Sequence, residues 1–202
     1  MLRTVACALL VGTLAIGAGA AGAETIDAGT VPVNRLSSAV RFTVVAKKLF
    51  TFKEEGRFTD FDGHIAYDPA DPASTRVDVT VYTGSVDTNN KDHDAMLRSE
   101  GFFEADRYPT MRFVSTGAGV GPDGSLLVRG NLTIRDVTRA IEVPVRIQPA
   151  AGGDAKLETS FDIDRTEFGI NGSPKVGGFR ISIEKKVNIR LVMAASVTRV
   201  IH

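Results

Sequence analysis

The sequence predicts an all-β fold, an eight-stranded antiparallel barrel with one helical segment covering an end. Three observations carry that expectation. Apolar and polar residues alternate with period two along most of the chain, which marks half-buried strands. Turn-forming links separate consecutive runs and imply an up-and-down antiparallel order. One stretch, Asn89 to about Glu100, breaks the alternation. Eight such strands in sequence favour closure, because a closed sheet leaves no exposed edge.

The elements follow in chain order. Val40, Phe42 and Val44 share one face of a strand over 38–47, with Arg41 and Thr43 on the other. A second strand covers 55–67. Beyond the turn Asp68-Pro69-Ala70-Asp71-Pro72, Val77, Val79 and Val81 alternate with Arg76, Asp78 and Thr80 in a strand over 74–82. The interruption then reads as a helix. Asp92 and Asp94 lie near its start, where the dipole favours carboxylates held in water, and Met96 and Leu97 supply apolar contacts. Strands over 110–119 and 125–134 flank Gly121-Pro122-Asp123-Gly124, and Arg135-Asp136-Val137 makes a tight connection to a strand over 138–148. There Ile141, Val143, Val145 and Ile147 face one way. Pro144 lacks a ladder donor, so it belongs at a gap or frayed edge. Ala151-Gly152-Gly153-Asp154 closes the next hairpin, before Leu157, Thr159, Phe161 and Ile163 alternate over 156–164. The Gly-rich segment from Gly169 to Gly178 reads as a flexible loop ahead of the last strand, 179–194.

Composition bounds the function. The chain has 202 residues, enough for one domain with a real core, and 43 % of them are hydrophobic. Its 24 basic and 24 acidic residues give a net charge of zero. That balance argues against a dedicated nucleic-acid binder or a polybasic membrane anchor. Residues 1–23 have the layout of a secretory signal peptide: Arg3, an apolar run from Val5 to about Ala20, and the small-residue site Ala21-Gly22-Ala23. The run is short for a membrane span and repeatedly holds Gly. A single domain over 24–202 is therefore expected in the periplasm or outside the cell, with no membrane span left after cleavage. The single cysteine, Cys7, leaves with the signal segment, so no disulfide, thiol nucleophile or Cys-ligated zinc is expected.

A secreted barrel can also sit in an outer membrane, with apolar residues facing lipid. The chain has no Trp and only three scattered Tyr for aromatic girdles, whereas its 11 Phe fall largely at strand and helix positions. The expectation is a barrel with its apolar face inside.

No catalytic constellation emerges. Asp92-His93-Asp94 are neighbours that do not share a helix face and suit a solvated helix start better than a metal site. His64 has the parity opposite to Ile65 and points outward or to a rim. There is no nucleophile elbow, phosphate loop or dinucleotide fingerprint. No catalytic residue, metal or cofactor is expected. Asp164-Arg165 reads as an ion pair that pins the following loop or touches a ligand head group, and Arg98 carries the same two readings.

Several ordered segments together resemble the YceI-like family of secreted, lipocalin-like, polyisoprenoid-binding proteins. They are Ser38-Ala39-Val40-Arg41-Phe42-Thr43-Val44, Gly56-Arg57-Phe58, Phe61-Asp62-Gly63-His64-Ile65 and Ser85-Val86-Asp87-Thr88. Leu97-Arg98-Ser99-Glu100-Gly101-Phe102-Phe103 follows, then Tyr108-Pro109, Gly130-Asn131-Leu132-Thr133-Ile134, Val137-Thr138, and Asp164-Arg165-Thr166-Glu167-Phe168-Gly169-Ile170. Two positions depart from the pattern. Met96 stands where the family often has His. Asp136 stands where its tight turn usually has Gly, a place Asp still fits because it tolerates a left-handed backbone.

The resemblance implies an extended lipocalin-like barrel around an elongated apolar cavity, with a long-chain isoprenoid or similar amphiphile as ligand. Phe42, Phe58, Phe113, Phe161 and Phe179 in strands, and Phe102, Phe103 and Phe168 beside the helix or loop, are the aromatic residues expected to line it. Val44, Val79, Val81 and Ile183 join them by parity. The expected role is non-enzymatic binding, transport or storage of that lipid. An enzyme acting on an isoprenoid lipid and a structural barrel with a filled interior are the alternatives, and a homodimer is left open.

Overall fold

Alternation becomes pairing in the structure, a computed structural model that describes residues 31–33, 38–47, 51–68, 70–149, 154–176 and 179–196. The expected signal peptide, the start at Glu24, Cys7, His202 and the turn residues 151–153 lie outside the described residues. The strands are β1 (Val31–Pro32), β2 (Ala39–Lys47), β3 (Thr51–Phe58), β4 (Phe61–Ala66), β5 (Arg76–Tyr82) and β6 (Val86–Asp87). After the helix α1 (Lys91–Arg98) come β7 (Thr110–Val120), β8 (Leu126–Ile134), β9 (Val137–Pro149), β10 (Asp154–Asp164), β11 (Lys175–Val176), β12 (Phe179–Arg180) and β13 (Ser182–Ser196).

The all-β antiparallel expectation holds, with a different strand count. Eleven strands form one sheet in the order β1-β4-β5-β7-β8-β9-β10-β13-β2-β3-β6, and β11 and β12 form a separate ribbon. The extra strands have a simple origin. The expected strand over 55–67 bends at Thr59-Asp60, so its first half, β3, pairs with β2 and its second half, β4, pairs with β5. The sheet therefore curls into a ring that the chain itself closes between Phe58 and Phe61. Each half of the bent strand keeps one free edge, and a two-residue strand covers it: β6 against Arg57 and Phe58, β1 against His64 and Ile65.

Besides the bend, where β3 and β4 do not pair with each other, the ring lacks a ladder over part of the β9–β10 seam. β9 and β10 pair only from Pro149↔Ala155 to Val145↔Thr159. β10 continues with β13 as far as Asp164↔Lys186, and β9 continues with β8 down to Ile134↔Val137. The two strands separate at Pro144, whose ring has no N–H to offer, so the gap expected from this residue is found.

Period two sorts the side chains cleanly. Val40, Phe42, Phe58, Phe61, Ile65, Val79, Val81, Val128, Val143, Val145, Leu157 and Met193 form one buried cluster inside the ring. The outer wall carries ion pairs, among them Arg112–Asp78, Arg129–Glu142 and Lys186–Asp162. A lipid-facing barrel needs an apolar band there instead. No helix among the described residues is long and apolar enough to cross a membrane.

A second cluster, built on Phe102, Ile134, Phe168 and Ile170, closes the end of the ring beside α1. Asn90 caps the helix, accepting from the N–H groups of Asp92 and His93. Asp94 departs from the expectation of a carboxylate in water. It is buried and accepts from both the backbone N–H and the hydroxyl of Thr88, each at 2.7 Å. Asp94→Ala is expected to cost about 1–2 kcal/mol by orphaning those donors. Asp92→Ala, on the exposed face, should stay within about 0.5 kcal/mol. Urea unfolding of the two variants checks the contrast.

The segment expected to be a flexible loop is held firmly over Gly169–Gly172. Asp164 and Arg165 do not pair with each other. The Asp164 carboxylate accepts from the hydroxyl and N–H of Thr166, while the Arg165 guanidinium donates to the carbonyls of Glu184, Ile183, Ile170 and Gly172. Burial pulls the Arg165 pKa down from its ordinary value. Arg98 is likewise a pin, donating to the carbonyls of Gly84 and Val86. At the β8–β9 turn the left-handed residue is Arg135 (φ 57°) rather than Asp136. Its guanidinium pairs with Glu104, itself left-handed at φ 50°, and donates to the Gly169 carbonyl.

The Thr166 hydroxyl, and then its N–H, hold the Asp164 carboxyl below the usual Asp pKa. A depressed folded pKa gives stability that is complete above the unfolded value, near 4, and drains as the pH falls below it. Thermal scans at pH 7 and pH 3 should show a smaller loss of Tm over that interval for Asp164→Asn than for the unaltered protein.

Candidate functional site

The inward faces of the strands surround a cavity of about 140 Å³. Its lining reaches from Leu157 to Ile163 along β10 and from Val77 to Val81 along β5. The seven residues from Leu157 to Ile163 span about 20 Å, so the lining runs lengthwise along the lumen as a slot. Its surface is apolar throughout. Arg41 and Arg112 border it, but they occupy the outward parity of β2 and β7 and are exposed. Thr159 is the one lining residue with a hydroxyl on the inward parity, and its Oγ1 is buried without a hydrogen-bond partner.

Two aromatic rings in this wall rest on glycines. A Cβ on Gly56 would stand 2.3 Å from Phe42 Cζ, and one on Gly130 would stand 2.4 Å from Phe113 Cζ. Phe42 and Gly56 face each other directly across β2 and β3. From Phe42 a chain of rings leads toward the covered end. Phe58 lies 5.6 Å away, and Phe103 lies 5.5 Å beyond it at an interplanar angle of 71°.

Not every expected site residue reaches this slot. Phe42, Phe58, Val79, Val81, Phe113 and Phe161 line it. Phe103 is half-buried at the junction of the two apolar clusters. Phe102 and Phe168 belong to the cluster that closes the end, where Phe102 stacks on Gly172 and Phe168 is 2 % exposed. Ile183 packs against the same cluster. Val44 has the inward parity but sits opposite Glu54 and Val187, outside the lining. The side chain of Phe179 lies outside the described residues. The lining also takes in Ile65, Met111, Val128, Leu132, Val143, Val145, Leu157 and Leu191. Their signal was the same alternation, without an aromatic ring to draw the eye.

A second, polar groove of about 730 Å³ runs across the outer wall. Arg41 lies between Arg190 and Arg57 in the ladders, a row of three cations. Arg57 is bound to Asp87, and Arg146 joins the three cations while Glu55, Asp123 and Glu158 join Asp87, so the groove's charges balance. His64 is exposed on the outer parity, as expected.

The family model described as the YceI-like domain matches residues 32–195. This chain belongs to that family. A UPF0312 protein of Pseudomonas aeruginosa is 37 % identical over 120 residues, which is 57 % of this chain and 62 % of that protein. Protein YceI of Shigella flexneri is 36 % identical over 121 residues, with the same shares. The chain thus spans less than two thirds of the length of these curated relatives. Among solved structures, BcnA of Burkholderia cenocepacia aligns with a TM-score of 0.70 at 24 % identity, over 81 % of this chain and 99 % of that one. A polyisoprenoid binding domain from Saccharophagus degradans, implicated in plant cell wall breakdown, aligns with a TM-score of 0.64 at 16 % identity, over 84 % and 99 %. At those identities the likeness is one of fold.

Proposed function

We propose that this chain is a non-enzymatic binding protein that carries or stores a polyisoprenoid, or a similar long-chain amphiphile, in its lumen. We place it in the periplasm or outside the cell, after loss of residues 1–23. One observation carries the reading: the cavity is apolar, its lining runs along the lumen, and the wall around it has a charged outer face. Each methylene-sized group buried there is worth about 0.8 kcal/mol, so a chain binds strongly without directional contacts. The Saccharophagus domain of the same fold, described as polyisoprenoid binding, supports the choice of ligand.

The resting volume favours one alternative. A cavity near 150 Å³ holds about one benzene-sized group, so a long chain requires the lumen to widen. A barrel with a filled interior would not widen. Native mass spectrometry of the exported, purified protein separates the two. A bound hydrophobic mass, released on denaturation, is the expected result. An empty protein that takes up no fluorescent prenyl probe establishes the filled barrel instead. N-terminal sequencing of the same material should begin at Glu24, and an intact Met1 in a membrane fraction would overturn the export reading.

A further inference from the structure

The cavity is small for the stretch of wall that lines it, which makes the contacts that set its width decisive. Phe42 is a bulky side chain on the lumen wall, and its ring lies against β3 instead of projecting toward the axis. That placement depends on the residue directly opposite. A Cβ at Gly56 would meet Phe42 Cζ at 2.3 Å, Cε1 at 2.7 Å and Cε2 at 3.0 Å, and its three nearest neighbours are all atoms of this ring. Real Cβ atoms do not approach other heavy atoms under 3.0 Å. Any side chain at 56 therefore displaces the ring from its present seat, and a shift toward the axis narrows the lumen.

Backbone conformation does not call for this glycine. Gly56 is absent from the glycines with positive φ and lies mid-strand, paired on the ladder with Phe42. A glycine inside a strand weakens it and commonly marks a close approach. The close approach here is an aromatic ring. The pair Phe113–Gly130 differs, because the two are diagonal rather than direct partners and a Cβ at Gly130 would also meet the Val114 carbonyl oxygen at 2.6 Å. That glycine serves the backbone as well as the ring.

We infer that the Phe42–Gly56 stack sets the bore of the lumen and is the position that lets it admit a methyl-branched chain as well as a narrower unbranched one. The inference rests on the binding role proposed above and adds the residue pair that selects the chain's cross-section. A prenyl chain carries a methyl branch on every repeat and needs the wider bore along its whole course. A linear acyl chain presents only methylenes. Phe42 displaced by about an ångström obstructs the first before the second.

Two probes of similar carbon number, a fluorescent farnesyl-type prenyl chain and a fluorescent linear acyl chain, test this against four proteins. These are the unaltered protein, Gly56→Ala, Gly56→Ala/Phe42→Leu and Phe42→Leu, each with its Tm measured. Gly56→Ala is expected to lose prenyl affinity tenfold or more, with acyl affinity changing less than threefold. The double variant should return prenyl affinity to within threefold, since a smaller side chain at 42 frees the bore again. A stack that only stabilises the sheet would lower Tm and leave the ratio of the two affinities unchanged, and that result overturns the inference. Should Gly56→Ala not fold, Phe42→Leu decides alone: a shift of the ratio toward the prenyl probe upholds the inference, and an unchanged ratio overturns it. An unaltered protein that binds neither probe refutes the binding role itself, a distinct outcome visible before any variant is made.

Discussion

Val79→Asp is expected to abolish cooperative folding. Val79 is 8 % exposed, lines the slot, and stands between Gly63 on β4 and Phe113 on β7. Among the described residues the inward lining offers a carboxylate no cation and one hydroxyl, that of Thr159, and the cavity is too small to hydrate one well. An unpaired buried charge costs several kcal/mol, and a loss beyond about 4 kcal/mol approaches the whole stability of an ordinary domain. The adjacent Asp78 has the opposite parity and pairs with Arg112 across the ladder at a site where its side chain is 35 % exposed. Asp78→Ala should therefore cost no more than about 1 kcal/mol. Thermal unfolding followed with the prenyl probe tests both. A folded Val79→Asp protein that binds the probe normally would remove β5 from the cavity wall.

The second large effect separates two phenylalanines that look alike in sequence. Phe168 is buried among Phe102, Ile134 and Ile170 in the closing cluster. Phe168→Ala should lose about 3–5 kcal/mol, the usual cost of emptying an aromatic core position. Probe affinity, measured at a temperature where the variant is folded, should change by less than about twofold. Phe161 is half-buried and lines the slot, paired with Ile189. Phe161→Ala should cost no more than about 2–3 kcal/mol yet change probe affinity by threefold or more. Denaturant titration and probe binding on the pair check this, and the reverse pattern would place the ligand in the closing cluster.

That contrast shows what the sequence can and cannot express. Alternation is a local property, so it marked the strands and their inward faces without knowledge of their partners. Parity says which face is inside, but it says nothing of height along the lumen. Val44 and Val79 share the same inward signal, yet only Val79 reaches the slot. Phe102 and Phe168 lie outside strands, where no period applies, and their place in the closing cluster depends on contacts between segments distant in sequence. The single strand expected over 55–67 is one continuous run; that it bends to serve two partners is decided by closure of the ring. Asp94 looked like an ordinary first-turn carboxylate until Thr88 folded back onto it. Pro144 was the legible exception, because a missing N–H is a local fact with a global consequence.

That consequence concerns mechanical compliance. In a fully laddered barrel the girth is fixed, since each strand contributes its 4.7–4.9 Å and stretching the hoop means breaking hydrogen bonds. Here the hoop is interrupted at the β3–β4 bend and again where β9 and β10 part, beyond Val145↔Thr159. Beyond that point β9 approaches the helical turn Arg165–Phe168 that follows β10, and Arg139 donates to the Glu167 carbonyl there. Spreading the two strands there breaks no backbone ladder, so the circumference at this seam is held by side-chain contacts rather than by strand pairing. The orphaned hydroxyl of Thr159 lies at the apex of the seam, where such a wedge would open first.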